Sequence, residues 1–113
     1  MQVAGRRPEM ASVFDLGFML GPRLNAAGRL EDMKLGIECL LAPALEQALP
    51  LAQQLHDLNL SRRDIESGMK EQALALLDGM DCAGKHGIAV MHADWHAGVV
   101  GILASRLKEK YHR

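Results

Sequence analysis

The chain has 113 residues, 49% of them hydrophobic and 24% charged, with a formal net charge of −1 at neutral pH. That length suits one domain rather than two, and the composition is that of a folded segment, not a disordered one. A near-neutral balance argues against a free-standing nucleic-acid binder, which carries a basic excess, and the apolar runs are too short for a membrane span.

Residues 1–11, with Arg6-Arg7-Pro8, read as a frayed lead-in and lack the apolar stretch of a signal peptide. Ser12 is placed to cap a short helix through Phe14, Leu16, Phe18, Met19 and Leu20, which Gly21-Pro22 is expected to end. Pro22 suits the first position of a second short helix carrying Arg23, Asn25 and Arg29. By spacing, Arg23, Ala26, Ala27 and Leu30 share one side of it. Residues 33–41 give a further helical turn or two, closed by Pro43.

From residue 44 to 78 the pattern is long and helical, with Leu45, Leu49, Ala52, Leu55, Leu58, Ile65, Met69, Ala73 and Leu76 at spacings of mostly three or four. The stripe thins where Asn59, Ser61, Arg62, Arg63 and Asp64 cluster. Pro50 marks either a kink or the true start, because a mid-helix proline costs about 3 kcal/mol. Gly79 and the glycines at 84 and 87 break the pattern. Residues 88–92 form a continuous apolar run closed by Asp94 and read as a buried strand, and 99–111 read as an amphipathic helix. The expected fold class is therefore α/β but helix-dominated: short helices, one long connecting helix, then a strand-loop-helix unit of a second domain. A lone strand cannot satisfy its own backbone groups. Its partner must come from residues outside this chain or from a second copy, so the sequence reads as a piece of something larger.

Candidate chemistry concentrates in two places. The segment 21–30, Gly-Pro-Arg-Leu-Asn-Ala-Ala-Gly-Arg-Leu, packs two guanidinium groups, an amide and two glycines among small apolar residues. Arginine forks suit phosphate, and glycine lets backbone approach a ligand. The structural alternatives are an arginine tied to a neighbouring carboxylate, Asn25 as a local cap, and glycines for close packing. The segment His92-Ala93-Asp94-Trp95-His96 sets three potential ligands at alternate positions, although strand-end loops often collect His and Asp, and such positions rarely wrap an ion alone. Gly98 ahead of Val99-Val100-Gly101 opens a helix N-terminus to an anion, or serves tight strand-helix packing. Arg62, Arg63 and Lys70 either track a nucleic-acid strand or form a solvated face offset by Asp64 and Glu66. Met69, Met80 and Met91 read as core filler. Cys39 and Cys82 show no metal or CxxC spacing and read as reduced, cytoplasmic thiols.

The wording of 21–30, together with Trp95-His96-Ala97-Gly98-Val99-Val100-Gly101-Ile102-Leu103-Ala104-Ser105-Arg106-Leu107, resembles the RecJ family of the DHH phosphoesterase superfamily, 5′→3′ exonucleases specific for single-stranded DNA. The resemblance runs from about Phe14 to the last residue. It implies that 1–43 are the C-terminal end of a DHH domain, 44–79 the connecting helix, and 80–113 the start of a DHH-associated domain. It implies Mn²⁺ or Mg²⁺ held by DxD and DHH motifs that do not occur here, so that this chain carries no metal ligand and no catalytic residue and is inactive alone. A metal-bound hydroxide would attack phosphorus in line, while Arg23, Asn25, Arg29 and His96 bind substrate phosphate, Arg23 nearest the 5′ end and His96 facing the cleft with Trp95 beneath it. A Gly-Gly-His signature and a Ser/Arg phosphate pocket are expected beyond Arg113. Single-stranded DNA is the implied partner. Two alternatives stand beside this reading: another DHH phosphodiesterase or pyrophosphatase, and a stand-alone helical module that self-associates.

Overall fold

Residues 1–80, 84 and 86–112 are described by a computed structural model, which separates into two units, Met1–Arg62 and Arg63–Arg113. Cys82 and Lys85 lie outside the described residues. No helix among the described residues is long and apolar enough to cross a membrane.

The first unit begins with two short 3₁₀ turns, Gln2–Ala4 and Pro8–Met10, where a frayed lead-in was expected. Ser12 then caps the chain as its sequence position suggests. The Ser12 N–H and hydroxyl both donate to Asp15 Oδ2 (3.0 and 3.2 Å), and the Asp15 N–H donates back to Ser12 Oγ (3.3 Å), the reciprocal pattern of a capping box. The Asp15 side chain is buried, with the Arg6 guanidinium 3.7 Å from its other oxygen. Buried charge is tolerable only with such partners.

Gly21-Pro22 does not end this helix. A π-helical segment, Asp15–Leu20, runs straight into α1, Gly21–Leu30. Widening the ladder to a bond from the Gly21 N–H to the Leu16 carbonyl adds a residue to the turn and lets the chain pass into Pro22 within the first turn of α1, where its missing N–H costs little. A Cβ on residue 21 would stand 3.0 Å from the Leu16 carbonyl oxygen, so glycine is what permits this approach.

Ala26 and Ala27 are wholly buried on α1. The helix ends at Glu31, and Asp32 opens the next one by accepting the Lys34 N–H at 3.0 Å. Helix α2, Lys34–Leu41, packs beside α1; Gly36 is buried against Leu24, and a Cβ on Gly28 would meet Met33 Sδ at 3.2 Å. Ala42, in the extended conformation that a following proline favours, closes α2 ahead of Pro43. Helix α3, Leu45–Asp78, is unbroken for 34 residues with Pro50 inside it, so Pro50 is not its start. Within the first unit α3 buries Leu55 and Asn59.

In the second unit α3 buries Met69, Ala73 and Leu77, spaced four apart, and α4, Val100–Tyr111, buries Leu103 just after the buried Val99. Two side-chain bonds join parts of this unit: the Trp95 indole N–H donates to Gln72 Oε1 (2.9 Å) and Arg106 Nε to Glu66 Oε1 (3.3 Å). The strand expected at 88–92 is absent, and among the described residues every regular element is helical. The α/β expectation is corrected accordingly. A ladder needs a second strand, and among the described residues there is none.

Removing the Asp15 carboxylate should remove the capping box. Asp15→Ala is expected to lower the unfolding free energy by about 1–2 kcal/mol, read as a lower denaturant midpoint at constant slope, with Asp15→Asn closer to the parent.

Candidate phosphate-binding elements

In the first unit the candidate residues all lie on α1. Arg23 is half-buried and held at two points: Nη1 donates to the Met19 carbonyl at 2.6 Å, and Nε donates to His56 Nδ1 on α3 at 3.1 Å. The first bond runs back four residues to a carbonyl of the π-helical segment. The second requires His56 to be unprotonated at Nδ1. The structural alternative had been a carboxylate partner; an imidazole is one of the partners here. Asn25 is exposed and shares a face with Arg29 by its spacing of four, whereas Arg23 belongs to the face of the buried alanines. Arg29 is half-buried in the last turn, where a cation complements the helix dipole. Within α1, Arg23 is thus separated from the Asn25–Arg29 pair.

The fourth candidate, His96, lies in the second unit at the start of α4. Its carbonyl accepts the N–H groups of Val99 (3.0 Å) and Val100 (3.2 Å), and its ring Nδ1 accepts the Gly98 N–H at 2.9 Å. The N–H groups of Gly98, Val99 and Val100, among the donors that the glycine-rich start was expected to leave for an anion, are therefore engaged by His96 itself. Nearby, His92 Nδ1 accepts the Asp94 N–H at 3.1 Å and lies 3.9 Å from the Asp94 carboxylate, and the His92 and Trp95 rings stack at 6.2 Å. Among the described residues no group of three His, Cys, Asp or Glu side chains converges as a metal site. On the long helix, Arg62 is half-buried and donates to the buried Asn59 Oδ1 at 2.9 Å, while Arg63 and Lys70 are exposed.

Sequence reasoning did not single out His56, Gln72 or Asp15. His56 and Asn59 sit within the apolar periodicity of α3, and that was the available signal. A polar residue inside a buried stripe needs a partner.

No protein-family model matches the chain. A relative from Dickeya dadantii, a single-stranded-DNA-specific exonuclease RecJ, is 50% identical over the whole chain and 20% of that protein. A crystal structure of exonuclease RecJ bound to manganese superposes with a TM-score of 0.82 at 31% identity, covering 99% of this chain and 28% of that one. RecJ from Thermus thermophilus in complex with Mg²⁺ gives 0.84 at 31% identity, covering 99% and 18%. Both likenesses are to exonucleases. By sequence and by fold, the chain is similar to one segment of RecJ proteins, and it spans about a fifth of the length of the curated relatives it matches.

His96→Ala should leave the Gly98 N–H without its ring acceptor. Amide exchange at Gly98 and in the first turn of α4 is expected to quicken about fivefold, the equivalent of one neutral hydrogen bond. Unchanged exchange would remove His96 from that role.

Proposed function

We propose that this chain is part of a metal-dependent exonuclease that degrades single-stranded DNA from its 5′ end, and that its contribution is phosphate binding. The observation that supports this reading best is the match to RecJ proteins along the whole chain, the arginine helix included. Residues 1–43 complete a first, DHH-type domain, 44–79 connect it to a second, and 80–113 begin that second domain. Arg23, Asn25, Arg29 and His96 are the substrate-side residues, with Arg23 directed to the 5′-terminal phosphate. An arginine already ordered by two hydrogen bonds loses little further freedom on gripping an anion. Mn²⁺ or Mg²⁺ supplies the nucleophile's activation from ligands elsewhere in the protein. The donor set here does not suit that role, because the Nδ1 atoms of His92 and His96 accept backbone N–H groups and, among the described residues, no third ligand converges. The setting is cytoplasmic.

In the complete protein, Arg23→Ala is expected to slow release of nucleotides from 5′-phosphorylated single strands by about 10- to 100-fold, the worth of hydrogen bonds to a charged group. The ratio to 5′-hydroxyl strands is the decisive quantity. Partial unfolding lowers both rates equally, so an unchanged ratio would return Arg23 to a structural role.

A second reading concerns the chain on its own. Val13, Leu40 and Leu41 are 85, 70 and 76% exposed, and Phe14 and Phe18 stack on one another at 4.8 Å while more than half exposed. Apolar surface of this kind favours association. Light scattering of residues 1–113 alone is expected to show a dimer or larger species without Mn²⁺-dependent nuclease activity. A dispersed monomer would refute the association, and robust activity would refute the assignment of metal ligands elsewhere.

A further inference from the structure

We propose that His56 is a positioning residue for the phosphate-binding arginine: its Nδ1 fixes the Arg23 guanidinium in place by accepting from Nε. The proposal rests on the reading of Arg23 given above and extends it to a residue on a different helix.

Arginine is long and flexible, and ordering it costs about 2 kcal/mol of rotamer entropy. Here the order is built in before any ligand arrives. Nη1 is tied to the Met19 carbonyl within the same helical run, which sets how far the side chain extends. Nε is tied to His56, 33 residues later on α3, which sets the plane of the fork. Neither contact alone does both. Met19 leaves the plane free to turn, and His56 leaves the reach undetermined.

The chemistry of the acceptor matters as much as its position. A carboxylate at this place would orient the guanidinium and also cancel its charge, in competition with a phosphate. An uncharged imidazole nitrogen orients it without itself placing a negative charge beside it. The nearest carboxylate in sequence, Asp57, instead accepts from Gln53 at 3.1 Å. His56 is half-buried on α3, one turn from the buried Asn59.

The test uses the complete protein with Mn²⁺ and single-stranded oligonucleotides carrying either a 5′-phosphate or a 5′-hydroxyl. Arg23→Ala serves as the reference. His56→Leu removes the acceptor and keeps the bulk. His56→Asn places an oxygen where Nδ1 stands, and His56→Gln does not. The expected result is a KM for the 5′-phosphorylated strand raised roughly tenfold in His56→Leu and His56→Gln, with kcat and the KM for the 5′-hydroxyl strand retained, and near-parent values in His56→Asn. A purely structural histidine would shift both substrates together and would track the melting temperature instead. If Arg23→Ala loses the 5′-phosphate preference while His56→Leu keeps it, the positioning role falls and the phosphate reading of Arg23 stands. If both variants keep it, both fall. Equal impairment in His56→Leu and His56→Asn would also overturn the proposal, because the acceptor atom would then be irrelevant.

Discussion

The first unit is organised around one cation held from two sides. Arg23 reaches back to the Met19 carbonyl and across to the His56 imidazole, and so joins the proline-containing helical run to the long helix α3. Pro22 removes a donor from a helix that nevertheless continues, the ladder widens ahead of it, and Gly21 makes room for the displaced Leu16 carbonyl. One residue further on, the Arg23 guanidinium reaches back to the segment where the ladder widens.

Small side chains decide how near the neighbouring elements come. Ala26 and Ala27 are fully buried, Gly36 is buried, and Gly28 faces Met33 closely enough that a methyl group would crowd it. A larger residue at 28 or 36 would crowd Met33 or Leu24 and cost about 1–3 kcal/mol as overpacking. The second unit solves a comparable problem with a different side chain. At the start of α4 His96 takes up three N–H groups, two through its carbonyl and one through its ring. Three histidines, His56, His92 and His96, act alike in accepting at Nδ1. An imidazole used this way is an uncharged local clamp.

Much of this was legible before the coordinates. The Ser12 cap, the break at Pro43, the long α3 and the amphipathic α4 follow from capping chemistry and from spacings of three and four, which are local. Two expectations failed because the deciding partner is distant or missing. Gly21-Pro22 looked like a stop, but a π-helical turn absorbs the proline, and no residue type announces such a turn. The run 88–92 has a strand's composition without a second strand to pair with, and composition cannot supply hydrogen bonds. The candidate site divides in the same way. Arg23 was recognisable from its phrase, yet His56 was not, because the bond between them spans 33 residues and depends on how α1 meets α3. RecJ proteins match the whole chain at 47–50% identity over a fifth of their own length.

The most direct test is a crystal structure of the complete protein with Mn²⁺ and a 5′-phosphorylated single strand. A terminal phosphate oxygen about 3 Å from the Arg23 guanidinium, with Nε still donating to His56 Nδ1, is the expected arrangement. A phosphate bound elsewhere, or an Arg23 that has left His56 to reach it, would contradict the view of a cation ordered in advance of its ligand.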